Sequence, residues 1–239
     1  MPKKSVMFQT GTIRSLLQGV YDGDQSIAEL GNHGDYGLGT FDAVDGELIA
    51  VDGVYYRADV NGILTKVPGH TKTPFAVVTQ FQPLIKLDFS HIDCLQALES
   101  EIARRFISKN IMYAVEVRGR FADMDLRSEA CQLQPFQPLA ETLPKLQSVY
   151  QRNDIAGVMV GLWFPEHMSA LNVAGFHFHF VDADRTLGGH VLDMRLLQGQ
   201  ARIQPIHDFA MHLIDSKAFA AADLDTQDDA AVAAVEKNK

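Results

Sequence analysis

Residues 175–190 read Gly-Phe-His-Phe-His-Phe-Val-Asp-Ala-Asp-Arg-Thr-Leu-Gly-Gly-His, and they restrict the fold more than any other part of the chain. Phe176, Phe178 and Phe180 alternate with His177 and His179. Successive side chains of a strand leave on opposite faces, so the phenylalanines face a core while the two histidines share the other face. Residues 182–186 read as a turn. A hairpin centred between Asp184 and Arg185 sets His190 opposite His179, with His177 one diagonal step away. Directly opposed residues have Cβ atoms roughly 4.5–5.5 Å apart. Three imidazoles then converge on one sheet patch, within range of metal–nitrogen bonds of about 2.0–2.1 Å, with Gly188 and Gly189 leaving room beside them. Three neutral imidazoles without a fourth protein ligand match the open sites at which a metal does chemistry, zinc (Zn2+) above all. His33, His70, His91, His167, His207 and His212 have no such partners and read as structural or surface residues.

The surrounding sequence favours strands. Residues 47–66 read as three short strands joined by the turn dipeptides Asp52-Gly53 and Asn61-Gly62, and residues 75–81 as a fourth. Strands are also expected at 112–121, 156–164, 171–182, 187–195 and 202–206. Ile13, Leu16, Leu17 and Val20 share one face of a short helix. Ile92, Leu95, Leu98, Ile102 and Phe106 recur at helical spacing, with Ser90 as cap and Lys109-Asn110 as stop. Residues 22–39, rich in glycine and aspartate, read as a turn-rich segment, and Pro135, Pro138 and Pro144 mark an irregular crossing. The fold class is therefore α+β, with antiparallel or mixed sheets, a few helices and the metal site on a β-hairpin. Residues 1–239 are expected to form one unit with two sheet-containing subdomains, 1–145 and 146–239. No glycine run follows a strand into a helix, no P-loop is present and no G-x-S-x-G elbow is present.

With 30 acidic against 21 basic residues the chain carries a net charge of -9, which opposes nucleic acid as a partner. The first ten residues hold two lysines but no apolar run, so neither an export signal nor a membrane segment is expected, and the chain reads as cytoplasmic. Cys94 and Cys131 could form one disulfide, but in a chain without an export signal they read as two buried free thiols.

With these residues in place, the chain resembles the acetolactate decarboxylase family. The resemblance is carried by residues 8–24, by HGDYGLGTFDAVDGELIAVDGVYY at 33–56, by the strands at 73–81 and 119–121, and by the run at 175–194. It implies zinc bound by His177, His179 and His190. It also implies active-site roles for Glu47 of the DGE block, for Arg127, for Glu236 of the C-terminal tail and for Thr40 as a pocket residue. Residues 122–136 depart from the family's basic, proline-containing run, and Arg118 and Arg120 are the alternatives to Arg127. Without the resemblance, Glu47 reads as a strand-end charge and Thr40 as a turn residue. Arg127 reads as a surface partner of Asp123 or Glu129, and Glu236 as a charge on a helix surface.

The activity implied is decarboxylation of (S)-2-acetolactate to (R)-acetoin. Zinc would act as a Lewis acid, Arg127 would orient the substrate, and Glu47 or Glu236 would donate the proton. A homodimer is also implied. Two other readings fit the histidines alone. One is a cupin-like metal oxygenase or isomerase, although only aspartates follow the H-x-H pair here. The other is a non-enzymatic zinc-binding protein, although structural zinc usually has four protein ligands, often including cysteine.

Overall fold

The computed structural model describes residues 5–225. Eight strands precede residue 80: β1 (Val6–Thr10), β2 (Gln25–Ser26), β3 (Tyr36–Thr40), β4 (Glu47–Val51), β5 (Val54–Ala58), β6 (Leu64–Lys66), β7 (Lys72–Thr73) and β8 (Ala76–Thr79). Six follow: β9 (Ile85–Phe89), β10 (Met112–Glu129), β11 (Gln147–Phe164), β12 (Gly175–Asp182), β13 (Gly188–Ile206) and β14 (Asp208–His212). The α-helices are α1 (Ile13–Leu17), α2 (Ile27–Gly31), α3 (Leu95–Ala103), α4 (Leu139–Leu146) and α5 (Lys217–Ala221). This is an α+β protein with mixed sheets, as the strand-rich pattern implies.

The first sheet has the order β14-β1-β8-β3-β4-β5-β6, and the parallel β1–β14 pair makes it mixed. The second runs β10-β11-β12-β13-β9, and β10 also pairs with β13, so four of its strands close on one another. Every strand of the first sheet except β14 precedes Ile85. The division at residue 145 falls inside α4, which links β10 to β11, two strands of one sheet.

The sheets pack face to face. Leu38, Ile49 and Val77 of the first meet Val158, Val160 and Val181 of the second in one apolar cluster. The Tyr36 hydroxyl crosses this layer, donating to the Val115 carbonyl at 2.7 Å and accepting from the Gly161 amide at 3.0 Å. Leu98 and Ile102 of α3 pack into a second cluster with Val115, Phe121, Phe178 and Phe180. Ile27 and Leu30 of α2 cover the outer face of the first sheet. Among the described residues no helix is long and apolar enough to cross a membrane.

Several boundaries differ from expectation for physical reasons. Residues 85–89 form a strand, and α3 begins at Leu95 rather than after Ser90; its first amide is capped by Asp193, 98 residues away, at 2.8 Å. The helix ends at Ala103, short of Lys109. Residues 171–174 lie outside β12, and the proline-marked crossing contains α4, with Pro144 inside it. The turn-rich segment holds α2, whose Ser26 and Glu29 form a capping box. Both cysteines are free, but Cys131 is exposed and Cys94 half-buried, which corrects their expected burial.

Close backbone approach explains the glycines of β3. A Cβ added at Gly37 would stand 1.9 Å from the Val77 carbonyl oxygen of β8. Backbone cannot yield as a side-chain tip can, so Gly37→Ala should lower the unfolding free energy by at least about 2 kcal/mol, read from denaturant midpoints.

Candidate metal centre

The turn after β12 is built by its first aspartate. The Asp182 carboxylate accepts from the amides of Thr186 and Leu187 at 2.8 and 3.0 Å and from the Thr186 hydroxyl at 2.8 Å. Arg185 takes a left-handed conformation with φ 60°. The resulting register pairs His179 with His190, Phe180 with Gly189 and Val181 with Gly188. Phe178 and Phe180 enter the second core cluster, while His177 and His179 leave the opposite face toward the first sheet. The space expected beside Gly189 is taken by Tyr150, whose hydroxyl oxygen lies 2.4 Å from where a Cβ would sit and donates to the Gly188 carbonyl at 2.6 Å.

All three histidines are buried. His177 Nε2 lies 3.1 Å from His179 Nε2 and 3.1 Å from His190 Nδ1. Among the described residues these three form a group whose ligand atoms all lie within 4.8 Å of one another. Two nitrogens on a tetrahedral zinc with bonds of roughly 2.0–2.1 Å are about 3.4 Å apart, so the donor set fits the ion with small adjustments. His179 Nδ1 lies 2.8 Å from the Leu48 carbonyl. A carbonyl only accepts, so this contact places the proton on Nδ1 and turns the Nε2 lone pair toward the group.

Burial, assisted by the Arg127 guanidinium, pushes the His177 pKa down to about 3 from an ordinary value near 6.5. The imidazole therefore stays neutral, the form that ligates metal. In the unfolded chain the same histidine takes up a proton below pH 6.5, whereas the folded, metal-free protein does so only near pH 3. The unfolded state binds more protons in that window, so stability falls as pH falls through it. The contribution is up to about 1.4 kcal/mol per unit. Urea midpoints of metal-free protein should accordingly drop from pH 6.5 to 4.5.

The first sheet supplies the other side of the site. Thr40 and Glu47 are paired across β3 and β4, and both are buried. The Thr40 hydroxyl donates to the Gly46 carbonyl at 2.9 Å, tying down the turn before Glu47. Ala43 and Val44 in that turn are left-handed, with φ 59° and 49°. Such conformations are costly for a β-branched residue, and here Val44 forms pocket wall. Glu47 Oε2 stands 3.2 Å from His179 Nε2. Arg127, on β10, is the register partner of His190 and is buried. Asp123 binds Arg195, and Arg127 is buried rather than on the surface. Arg118 is held by Glu116 and Asp52, and Arg120 by Asp154, which removes both alternatives.

Thr40, Glu47, Arg127, His177 and His190 line one cavity. Its apolar wall comes from Leu16 of α1, Val44, Phe75, and Leu139 and Leu143 of α4. Glu129, another buried carboxyl group of this cavity, was not singled out for the site from sequence, although its spacing from Arg127 is that of residues on one strand face. Glu236 lies outside the described residues. Of the histidines set aside, His33 stacks on Phe8 at 3.7 Å and His212 contacts Asp24 at 2.9 Å, both structural uses.

Comparison with known proteins gives a consistent picture. The family model described as alpha-acetolactate decarboxylase matches residues 7–226. The alpha-acetolactate decarboxylase of Raoultella terrigena is 40% identical over 233 residues, covering 97% of this chain and 90% of that protein. The one of Methylococcus capsulatus is 38% identical over 226 residues, covering 95% and 86%. The crystal structure of alpha-acetolactate decarboxylase from Bacillus subtilis strain 168 superposes with a TM-score of 0.94 at 32% identity, covering 97% of this chain and 99% of that one.

Proposed function

The chain belongs to the alpha-acetolactate decarboxylase family, and from that premise we propose that it is a zinc-dependent carboxy-lyase that converts (S)-2-acetolactate into (R)-acetoin and carbon dioxide. The observation that carries the reading is the convergence of His177, His179 and His190, two of which, His177 and His190, line a cavity with Glu47 and Arg127.

The substrate carries a carboxylate on the carbon next to a ketone. Breaking that carbon–carbon bond sends its electron pair toward the ketone and leaves an enediolate, which then takes a proton on carbon. A bound zinc ion supplies Lewis-acid stabilisation of the developing oxyanion. His177, His179 and His190 would hold it. The Leu48 carbonyl sets the tautomer of His179, and burial keeps His177 neutral. Arg127 orients the substrate. Tight holding of the departing carboxylate alone would stabilise the ground state and gain nothing, so its contribution is alignment. Glu47 carries the proton to one face of the enediolate, which makes a single enantiomer. Leu16, Phe75, Leu139 and Leu143 exclude water around the substrate's methyl groups. A cytoplasmic homodimer belongs to the same reading, checked by cell fractionation and light scattering.

Racemic acetolactate incubated with the protein, with and without chelator, tests the proposal through chiral analysis of acetoin. Expected are (R)-acetoin and carbon dioxide without oxygen uptake, loss of turnover on chelation, and recovery with zinc. Oxygen consumption would point instead to a cupin-like oxygenase, and undiminished turnover in zinc-stripped protein would remove the metal from the mechanism.

A further inference from the structure

The three histidines are not held alike. His177 and His179 lie inside β12, every residue of which, from Gly175 to Asp182, pairs with β11. His190 is the third residue of β13, and the two before it are Gly188 and Gly189. The β12–β13 register consists of His179–His190, Phe180–Gly189 and Val181–Gly188, and the β10–β13 register ends at the Arg127–His190 pair. Two glycines in succession have the widest backbone freedom of any dipeptide. Local sequence therefore leaves His190 the least constrained of the three, and its placement depends on what fixes Gly188 and Gly189.

Tyr150 does this from β11, where it pairs with Leu126. Its hydroxyl donates to the Gly188 carbonyl at 2.6 Å, a group that can only accept. The Gly188 amide donates in turn to the Gly62 carbonyl at 3.0 Å, so both polar groups of Gly188 are tied from outside its own hairpin. The Tyr150 ring fills a slot that only glycines leave open. A Cβ at Gly62 would stand 2.6 Å from its Cζ and hydroxyl oxygen. A Cβ at Gly189 would stand 2.4 Å from that oxygen and 2.7 Å from the Arg127 carbonyl oxygen. The Arg152 guanidinium lies over the ring, 5.1 Å from its centroid. A ring packed in this way has no room to swing, and its hydroxyl is a fixed point against which the glycine pair rests.

We propose that Tyr150 is a positioning residue of the metal centre, whose hydroxyl fixes the Gly188-Gly189 backbone and thereby presents His190 to the ion. The inference rests on the zinc-site reading above and adds a residue that acts through the main chain rather than on the metal. Groups that orient a ligating histidine typically contribute 10–100-fold to metal affinity. Tyr150 acts one step further back, so a contribution of about tenfold is expected.

Metal binding tests this without turnover. Zinc dissociation constants are read by competition with a chelator, for the original chain, Tyr150→Phe and Tyr55→Phe. Tyr55 is the matched control: it is buried in the outer cluster of the first sheet, and its hydroxyl likewise donates to a backbone carbonyl, that of Gly34 at 2.8 Å. Both variants lose one such hydrogen bond. Tyr150→Phe should raise the zinc dissociation constant about tenfold or more, and Tyr55→Phe should stay within about threefold of the original. Cobalt loaded in place of zinc gives visible absorption bands that follow its ligand arrangement, and these should shift in Tyr150→Phe alone. Tyr150→Met, whose flexible side chain fills the slot without a donor, gives the same reading where the phenylalanine variant does not fold. A zinc affinity within about threefold of the original, a cobalt spectrum that superposes on it, or an equal loss in Tyr55→Phe would overturn the proposal. An original chain that binds no zinc would overturn the zinc reading and this inference with it. One that binds zinc but does not decarboxylate acetolactate would count against the proposed activity alone.

Discussion

Replacing His179 with alanine should leave less than about a tenth of a zinc equivalent per chain and lower acetolactate decarboxylation on the order of a thousandfold or more. The expectation follows from where His179 sits. Its Nε2 is 3.1 Å from that of His177, and its register partner is His190, so it is the histidine that joins the two strands of the site. Its Nδ1 contacts the Leu48 carbonyl, which ties the group to β4 of the other sheet. Two imidazoles remain after the substitution, too few for a zinc site that would draw on three among the described residues. A cavity and a buried carbonyl deprived of its donor add a stability loss of about 1–3 kcal/mol. Thermal melting therefore has to show a folded variant before its metal content is read. His212→Ala is the matched control, because His212 contacts Asp24 and lies outside the cluster. It should keep its zinc and its activity. A zinc-free His179→Ala variant with undiminished turnover would end the metal proposal.

The centre was legible in the sequence because its determinants are local. Alternation along Phe176–Phe180 and a single aspartate-built turn bring His177, His179 and His190 together, and nothing remote has to be known. Thr40 and Glu47 became legible only through the family resemblance, because what places them is β4 pairing with β3 and facing β12 across the sheet interface. β10 is the harder case. Its register against β13 shifts between Arg120 and Phe121, between Phe121 and Asp123, and between Asp125 and Leu126. Each shift breaks the two-residue period from which burial is read, so the strand appeared to stop at Phe121 although it runs on to Glu129. The same breaks place Arg127 and Glu129 on the surface in the sequence reading, whereas both are buried and line the pocket. α3 shows the reverse failure. Its local cap at Ser90 was a sound sequence signal, but Asp193 from β13 caps the helix five residues later.

Arg127 should prove decisive for the rate rather than for binding. Arg127→Ala should retain zinc, since its guanidinium is not among the ligand group, and should lose on the order of 10²-fold in kcat with a smaller rise in KM. The reasoning turns on when the substrate carboxylate matters. It is present in the ground state and departs in the transition state, so a contact that merely attracts it is uniform at best. Removing such a contact would raise KM and spare kcat. Alignment is different, because the breaking bond has to lie along the ketone's π system for its electrons to be accepted there. A planar guanidinium held in strand register with His190 can impose that angle, whereas a flexible ammonium cannot. Arg127→Lys is therefore the discriminating variant. With the charge kept, KM should stay within about threefold of the original while kcat remains depressed by about tenfold or more. Steady-state kinetics on zinc-loaded protein, with metal content measured for each variant, reads both quantities. Full kcat in the lysine variant would mean that Arg127 acts through its charge alone, and proton delivery by Glu47 would then have to account for the remaining rate.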